Sequence, residues 1–286
     1  MLVMINGERL SPADAKISIF DRGFLFGDAI YEVCCTHGRR PFQLGPHLDR
    51  LEDSGRAIDL DVSSMRPTLE SEIRELVGAE GGQGELLIRI MISRGASPDL
   101  DLFRADGPPQ RIVLVKPLSP WPRRQVDEGA RIKTVSAEDV VGRIAPWVKS
   151  NNRQANVMAH RHAREQGFDD GLFVDPEGNI SEGPSWNVFC VYAEEVVTPP
   201  LERGILPGIT RQTILDLCRR LNLVAQERSV SLEEARRADE MFLTSTTRGV
   251  MPVAELDGRR LGSRDGAGPV TARLRDAYTE LTRGAS

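Results

Sequence analysis

Residues 179–189, Asn-Ile-Ser-Glu-Gly-Pro-Ser-Trp-Asn-Val-Phe, are the stretch that decides the fold. A short run of strand-forming residues precedes one acid, Glu182, and a Gly-Pro turn separates that acid from the apolar run Trp186–Tyr192. The pattern predicts strand, turn and strand, with a carboxylate where the first strand ends. Such a carboxylate can pair with a protonated ring nitrogen, or it can be an ordinary solvated glutamate of a turn.

Periodic patterns extend from this stretch in both directions. Runs of apolar and β-branched residues predict strands at 2–10, 29–35, 85–93, 111–116, 131–135, 170–175 and 240–245. An apolar period of 3.6 residues predicts helices at 46–58, 69–77, 155–166, 208–221 and 273–281. Asn6-Gly7 is typical of a type I′ hairpin turn, and Ser231-x-x-Glu234 is typical of a helix capping box. The mixture predicts an α+β fold.

A proline-rich break divides this pattern. Leu118-Ser-Pro-Trp-Pro122 has two prolines, which resist both helix and sheet. We therefore predict a small N-terminal α/β domain over 1–117, an interdomain linker over 118–122 and a larger C-terminal domain over 123–286. A length of 286 residues suits two modest domains.

The composition excludes several classes of function. Charged residues of both signs make up 28% of the chain and give a net charge of −5, so no basic surface for nucleic acid or an anionic membrane is expected. No apolar run approaches the roughly 20 residues that span a bilayer, and the first residues lack the pattern of a secretory signal. We therefore expect a cytoplasmic protein that binds small molecules.

Cysteine and histidine usage agrees with that expectation. Cys34, Cys35, Cys190 and Cys218 form no CxxC pair, which favours reduced, packed thiols. His160 and His162 lie two residues apart on a predicted helix, so their side chains diverge and make a poor metal pair. No metal centre is expected.

Lysine is the rarer of the two basic side chains. Of 37 Lys and Arg residues, the lysines are Lys16, Lys116, Lys133 and Lys149. Lys149 lies where the apolar pair Trp147-Val148 meets a polar Ser-Asn-Asn turn. Partial desolvation there would favour the neutral, nucleophilic amine that an imine-forming lysine requires. A surface lysine fits the same local sequence.

Three further segments carry groups that suit a phosphate. Leu206-Pro-Gly-Ile-Thr-Arg introduces a helix, so the amides of Ile209 and Thr210 lie in its first turn, where anions bind. Ser245 and Thr246 end a predicted strand, and Arg50 on the helix 46–58 offers a bidentate guanidinium. Taken singly, these features are equally typical of a capped helix, a turn and a surface arginine.

Six motifs in this order resemble the class IV, or fold type IV, aminotransferases. They are Phe20-Asp-Arg-Gly-Phe-Leu-Phe-Gly-Asp-Ala-Ile-Tyr-Glu-Val, Pro46-His-Leu-Asp-Arg-Leu, Val148-Lys-Ser-Asn, Ser181-Glu-Gly-x-x-x-Asn-Val-Phe, Leu206-Pro-Gly-Ile-Thr-Arg and Thr244-Ser-Thr-Thr. The resemblance runs from about residue 3 to residue 257. It implies a two-domain fold, with a small α/β domain and a larger domain with a β-barrel-like core, and a homodimer that uses pyridoxal 5′-phosphate (PLP).

The resemblance also implies a role for each matched residue. Lys149 matches the lysine that forms a Schiff base with PLP and moves the substrate proton, and Glu182 matches the acid that holds the pyridinium nitrogen. Leu206 matches the apolar residue packed against the ring. The residues that match the phosphate contacts are Arg50, Ile209, Thr210, Ser245 and Thr246. The expected substrate contacts are Tyr31, Val33, Arg104, Thr247 and Arg248.

Tyr31-Glu-Val33 and Thr244-Ser-Thr-Thr resemble the D-amino-acid aminotransferases most closely, so we expect amino transfer from a D-amino acid to a 2-oxo acid. In that group an arginine and a histidine that follow an Arg-Gly turn hold the α-carboxylate. Here Ser93-Arg-Gly leads into the acidic run Pro98-Asp-Leu-Asp-Leu-Phe, which would repel a carboxylate. Either Arg104 or Arg248 replaces the missing arginine, or the enzyme accepts amines that lack a carboxylate.

Other activities of the family fit parts of the sequence. An (R)-selective amine transaminase follows if the carboxylate pocket is relaxed, and a branched-chain L-amino-acid aminotransferase is a further alternative. Ser93-Arg-Gly also occurs in aminodeoxychorismate lyases. A non-catalytic relative with the same fold would be expected to lose Lys149 or Glu182, and both are present.

Overall fold

The computed structural model describes residues 1–136, 147–262 and 266–284, which fall into two units. The first unit comprises Met1–Ser119, Val148–Asn152 and the described residues from Thr282 onward. The second comprises the described residues of Pro120–Trp147 and Arg153–Leu281. The sequence-based division puts 148–152 in the C-terminal domain, whereas in the structure this segment clusters with the first unit.

Backbone pairing explains where residues 148–152 lie. Ser150 forms an antiparallel bridge with Ile30. The amide of Tyr31 donates to the carbonyl of Lys149 at 2.9 Å, and the amide of Asn151 donates to the carbonyl of Ala29 at 2.9 Å. Contiguity in sequence could not indicate this, because the partner strand lies more than a hundred residues earlier.

The first unit is built on a six-stranded antiparallel sheet in the order β2-β1-β6-β5-β3-β4. Its elements are β1 Leu2–Ile5, β2 Glu8–Leu10, α1 Arg22–Leu25, β3 Ala29–His37, β4 Arg40–Pro41, α2 Leu44–Arg56, a 3₁₀ turn Ser63–Met65, α3 Arg66–Ala79, β5 Leu86–Ser93 and β6 Gln110–Pro117. Asn6 and Gly7 have φ of 52° and 89°, which confirms the type I′ turn between β1 and β2.

Strand β5 shows how this sheet acquires two different faces. Leu86, Ile88, Ile90 and Ile92 alternate along it and are fully buried, as a period of two requires for one packed face. Helices α2 and α3 lie on that face, because Glu32, opposite Ile90, contacts α2 and Arg111, opposite Ile92, contacts α3. The intervening side chains of β5 are half-buried and point to the other face.

The elements that begin after residue 119 are α4 Arg123–Asp127, β7 Ala130–Ser136, α5 Gln154–Glu165, β8 Asp170–Val174, β9 Glu182–Gly183, β10 Trp186–Tyr192, β11 Glu195–Thr198, a 3₁₀ turn Leu201–Arg203, α6 Ile209–Arg220, β12 Ala225–Glu227, α7 Leu232–Ala235, β13 Glu240–Ser245, β14 Gly249–Leu256, β15 Arg259–Arg260 and α8 Pro269–Gly284. The strands form one mixed sheet in the order β12-β11-β10-β13-β14-β7-β8, with β9 on β10 and β15 on β14. Its core is apolar, with Leu172, Val188, Leu243 and Leu256 among the buried residues.

Two strand predictions differ from the observed structure of the second unit. Strand β14 lies outside the strands predicted from the sequence. It contains Pro252, which pairs with Phe242 of β13, and its register with β7 shifts between Val253 and Glu255. The predicted strand at 179–181 forms only isolated bridges to Val174 and Ser231, and β9 begins at Glu182. Ser231 is confirmed as the N-cap of α7, since its hydroxyl accepts from the amide of Glu234 at 3.1 Å. The Glu234 carboxylate accepts from Arg228, so the second bond of a capping box is replaced by this ion pair.

Within the described part of the chain, the helices are either too short or too polar to traverse a bilayer.

Candidate active site

Lys149 is held at both its backbone and its side chain within the first unit. Its amide donates to the hydroxyl of Ser54 on α2 at 3.2 Å, and its carbonyl accepts from Tyr31 on β3. The ammonium nitrogen Nζ lies 4.9 Å from the centroid of the Tyr31 ring, within the range of a cation–π contact. Two residues predicted for the site, Lys149 and Tyr31, are therefore brought together by the fold.

A fully buried acid, Glu32, lies on the other face of β3. Its carboxylate accepts two bonds from Arg50, Nε to Oε1 at 2.7 Å and Nη2 to Oε2 at 2.9 Å. The ring Nδ1 of His47 lies 2.8 Å from Oε2. Sequence reasoning missed Glu32 and His47, although an acid inside the apolar run 29–35, facing a helix with His and Arg three residues apart, was a usable signal.

Arg50 is thus engaged along one edge of its guanidinium. The pair with Glu32 uses Nε and Nη2 in the bidentate manner that favours arginine over lysine. The predicted contact of Arg50 with a phosphate stays a prediction.

The protonation states of Glu32 and His47 depend on two opposing effects, which are burial and the interactions with their partners. Burial opposes ionisation of Glu32, but the charge of Arg50 and the hydrogen bonds from His47 and Arg50 outweigh it and hold the pKa of Glu32 far below its usual range. Burial lowers the pKa of His47 from its ordinary 6.5 by more than the hydrogen bond to Glu32 raises it. Near neutral pH, Glu32 is therefore ionised and His47 is a neutral donor.

In the second unit, the predicted acid Glu182 is buried and hydrogen bonded. Its Oε2 accepts from the backbone amide of Leu206 at 3.0 Å and from Nδ2 of Asn187 at 3.4 Å. Asn187 also donates to the carbonyl of Leu206 at 3.1 Å. Asn187 belongs to the motif that begins at Ser181, and it helps to fix the Glu182 carboxylate, a role that the sequence alone does not indicate.

The same asparagine supports the start of α6. Gly208 is the N-cap residue, and no side chain caps the helix there. A methyl group on Gly208 would lie 1.9 Å from Oδ1 of Asn187, so this position requires glycine. The amides of Ile209 and Thr210 fall in the first turn, where helical amides have no acceptor within the helix. This end of α6 therefore suits an anionic group.

The turn after β13 holds the remaining predicted residues of the second unit. The Ser245 hydroxyl accepts from the amide of Arg248 at 3.3 Å, and the Thr247 carbonyl accepts from the indole of Trp121 at 2.9 Å. Thr246 lies between them in the turn. Helix α6 packs on β13. The start of α6 and the turn that follows β13 therefore belong to two elements that are in contact.

Arg248, one of the two arginines that the sequence offers for a substrate carboxylate, is buried in the second unit. Its side chain is 6% exposed, its Nη2 donates to Asp170 at 2.8 Å, and its guanidinium lies 4.2 Å from the Trp121 ring centroid. Among the described residues, its Nε and Nη1 have no hydrogen-bond partner. Asp170 also accepts from the indole of Trp186 at 2.8 Å and lies 2.9 Å from Nδ1 of His160.

Arg104 lies in the first unit with an exposed side chain. Its carbonyl accepts from Nη1 of Arg22 at 3.2 Å, and the Arg22 guanidinium also donates to the carbonyls of Asp101 and Leu102. Arg22 therefore fixes the backbone of 101–104 and leaves the Arg104 side chain in solvent. Val33 lies on β3 opposite Arg89 of β5.

Cysteines and metal-binding groups take no part in this arrangement. The four cysteines are buried and form no disulfide, and burial raises the pKa of Cys218 to about 11 and that of Cys190 to about 12. These thiols therefore stay protonated near neutral pH. Within residues 1–136, 147–262 and 266–284, no group of His, Cys, Asp or Glu is arranged to hold a metal ion.

Known proteins resemble the chain along nearly its whole length. The family model described as Amino-transferase class IV matches residues 29–256. The D-alanine aminotransferase of Bacillus licheniformis is 32% identical over 285 residues, which are 97% of this chain and 95% of that protein. The branched-chain aminotransferase of Thermoproteus uzoniensis, solved with norvaline, superposes with a TM-score of 0.90 at 27% identity, covering 99% of this chain and 95% of that one. The branched-chain amino acid aminotransferase of T.th., solved with pyridoxamine 5′-phosphate, gives a TM-score of 0.89 at 26% identity over 100% of this chain and 95% of that one.

A pH-dependent stability is expected from His47. Its pKa is lower in the folded chain than its ordinary 6.5, so the unfolded chain binds more protons below that pH and stability falls as the pH decreases. Glu32 acts in the same direction, but only below its ordinary value of 4.5. The loss of thermal stability between pH 6.5 and 5 should therefore be smaller in His47→Gln than in the parent. The matched control is His162→Gln on the exposed side of α5; an identical pH slope in His47→Gln and the parent would contradict the assignment.

Proposed function

We propose, given that the chain belongs to the class IV aminotransferases, that it transfers an amino group from a D-amino acid to a 2-oxo acid. The fold is that of fold type IV, with two domains of mixed helix and strand, and the cofactor is PLP. The D-amino-acid preference rests on one observation: the Tyr31-Glu-Val33 segment, which resembles the D-amino-acid group, is the strand segment that contacts Lys149. The identity of 32% to a D-alanine aminotransferase supports it.

The residues of the chain fit PLP. The buried Glu182 carboxylate, fixed by Leu206 and Asn187, suits a protonated ring nitrogen. The first turn of α6, which begins at an uncapped Gly208, suits the phosphate. We assign the phosphate to Ile209, Thr210, Ser245 and Thr246, with Arg50 as a further donor, and we place Leu206 against the ring.

PLP, when bound, supplies an electrophilic carbonyl carbon and a ring that accepts electrons. We assign its covalent attachment to the amine of Lys149. In its neutral form the amine of Lys149 would also be the base that takes the α-proton of the substrate and gives it back. Its backbone bonds to Tyr31 and Ser54 keep this base in one place throughout.

Glu182 acts through its charge rather than through proton transfer to the substrate. As a carboxylate it keeps a proton on the ring nitrogen, and Asn187 and Leu206 keep the carboxylate oriented. Tyr31, Val33 and Thr247 are assigned to the substrate pocket.

A branched-chain L-amino-acid aminotransferase is the second candidate. It is favoured by the superposition on the Thermoproteus uzoniensis branched-chain aminotransferase, with a TM-score of 0.90. Both candidates share the cofactor and Lys149, and they differ in the handedness of the amino acid that the pocket accepts.

We also propose a homodimer that works in the cytoplasm. Phe24 is 68% exposed on α1, and Leu102 and Phe103 are 71% and 96% exposed on the loop that Arg22 fixes beside it. An exposed patch of this kind is typical of a surface that another protein covers, and the family resemblance indicates a second copy of the chain. The four buried cysteines form no disulfide, which favours a reducing compartment.

Loss of Lys149 should separate cofactor chemistry from folding. Lys149→Ala should keep the thermal stability of the parent within a few degrees, lose the absorbance of bound cofactor above about 400 nm and show no transamination. Lys16→Ala, at an exposed position, is the control and should retain both. Transamination by Lys149→Ala at the parental rate would show that another lysine holds PLP.

A half-reaction panel tests the substrate class. With PLP-loaded protein, D-alanine should bleach the cofactor absorbance and L-leucine should not, because the pocket beside Tyr31 is assigned to D-amino acids. Faster bleaching by L-leucine would favour a branched-chain L-amino-acid aminotransferase, and bleaching by (R)-1-phenylethylamine alone would favour an amine transaminase.

The oligomeric state tests the proposed dimer. Light scattering coupled to gel filtration should give twice the chain mass of 31.6 kDa. The double substitution Phe24→Asp and Phe103→Asp should shift the mass toward one copy, because two charges cannot be buried in an apolar interface without partners. A monomeric parent would contradict the dimer, and an unchanged double variant would place the interface elsewhere.

A further inference from the structure

Asp170, the first residue of β8, is a buried acid whose carboxylate has several partners. Its Oδ2 accepts from Nη2 of Arg248 at 2.8 Å and from Nε1 of Trp186 at 2.8 Å. Its Oδ1 lies 2.9 Å from Nδ1 of His160 and accepts from the amide of Gly171 at 3.0 Å. Each carboxylate oxygen therefore has two partners, which fix the orientation of the group.

Asp170 is ionised near neutral pH. Burial opposes its ionisation, but the hydrogen bond with His160 and the charge of Arg248 outweigh burial and hold the pKa of Asp170 below its ordinary 3.8. Arg248 depends on Asp170 in turn, because among the described residues its Nε and Nη1 have no acceptor. Removing one member of a buried ion pair leaves the charge of the other uncompensated. Asp170 is therefore the acceptor that fixes the buried guanidinium of Arg248.

Arg248 connects Asp170 to the turn 245–248, to which the phosphate of PLP is assigned. The backbone amide of Arg248 closes this turn, since it donates to the carbonyl of Ser245 at 3.2 Å and to the Ser245 hydroxyl at 3.3 Å. The Arg248 guanidinium lies 4.2 Å from the Trp121 ring centroid, and the indole of Trp121 donates to the carbonyl of Thr247 at 2.9 Å. Both ends of the turn are thus held by contacts that lead to Asp170.

Trp186 connects Asp170 to the strand that carries Glu182. Trp186 pairs with Gly183 in the ladder between β9 and β10. A methyl group on Gly183 would lie 1.9 Å from Cε2 of the Trp186 ring, so the ring occupies the space directly over that glycine. The hydrogen bond from its indole to Asp170 fixes the ring in this place. The backbone next to Glu182 therefore packs on a ring whose position depends on Asp170.

We propose that Asp170 is a positioning residue that holds the two polar ends of the cofactor site at a fixed spacing. Through Arg248 it holds the turn for the phosphate, and through Trp186 it holds the strand with the acid for the ring nitrogen. This inference rests on the placement of PLP at Glu182 and at the turn 245–248 in the proposed function. Groups that bind a ligand directly need such support, because small losses of alignment weaken their bonds.

The test uses pyridoxine 5′-phosphate and full-length protein freed of its cofactor. This analogue lacks the carbonyl carbon that reacts with a lysine, so its binding does not depend on Lys149. Calorimetry gives its Kd, which includes the grip on the phosphate. The ultraviolet absorbance of the bound analogue, followed against pH, gives the pH at which its ring nitrogen loses the proton. That pH reports on the alignment of Glu182.

Asp170→Asn should change both readouts, because it removes the charge that both branches share. The Kd should be at least about tenfold weaker than in the parent. The ring nitrogen should lose its proton about one pH unit lower, which corresponds to a tenfold weaker hold on that proton. Asp216→Asn, at a half-exposed position on α6, is the matched control and should leave both readouts parental.

Two further variants separate the branches and keep the ion pair between Asp170 and Arg248 intact. Trp121→Phe retains a ring beside Arg248 and removes the bond to Thr247, so it should weaken the Kd about fivefold and leave the ring titration parental. Trp186→Phe removes the bond to Asp170 and should lower the pH of the ring titration. These two variants carry the test if Asp170→Asn does not fold, which thermal unfolding of each variant establishes.

Three outcomes would overturn the inference. A parental Kd and a parental ring titration in folded Asp170→Asn would show that the site keeps its alignment without this carboxylate. Equal changes of both readouts in Trp121→Phe and Trp186→Phe would mean that the cluster only stabilises the fold. A parent that does not bind the analogue would overturn the placement of PLP together with this inference. By contrast, the expected pattern in a protein that does not transaminate D-alanine would support the role of Asp170 and overturn the proposed substrate class.

Discussion

Backbone hydrogen bonds between residues 148–152 and β3 are the constraint on which the arrangement around Lys149 depends. They tie a short segment from the middle of the chain to a strand near its beginning, through Tyr31 and Ala29. Within the described segment 147–152, Lys149 lies outside helices and strands, so its position depends on the bonds to β3. A slip of one residue in that strand would exchange its two faces and move Tyr31 away from the lysine.

Strand β3 separates two different environments by simple alternation. Glu32 points to the helices, where Arg50 and His47 offset the cost of burying a charge. Tyr31 and Val33 point the other way, where Arg89 and Lys149 provide positive charge without a neighbouring acid on the same strands. Ionised Glu32 thus balances the charge of Arg50 within the buried layer.

The sequence was informative wherever a local rule applies. The hairpin turn at Asn6-Gly7, the Ser231 N-cap, the strand Glu240–Ser245 and the helix that starts after Gly208 could all be predicted, because turn chemistry, caps and periodicity are properties of neighbouring residues. The family could also be predicted, from six motifs in order. Pairing over long distances could not: the link between 148–152 and β3, the Glu32 network and the contact of Arg89 with Tyr31 depend on residues brought together by sheet register. Arg248 illustrates the same limit, since its partner Asp170 lies far away in sequence.

The central claim is that Lys149 is the lysine that holds PLP. Borohydride reduction of the PLP-loaded protein fixes the cofactor on its lysine, and peptide mass mapping then identifies which of Lys16, Lys116, Lys133 and Lys149 carries it. We predict that the pyridoxyl group is found on the peptide that contains Lys149 and on no other. Stoichiometric labelling of Lys116 or Lys133, with Lys149 unmodified, would contradict the account.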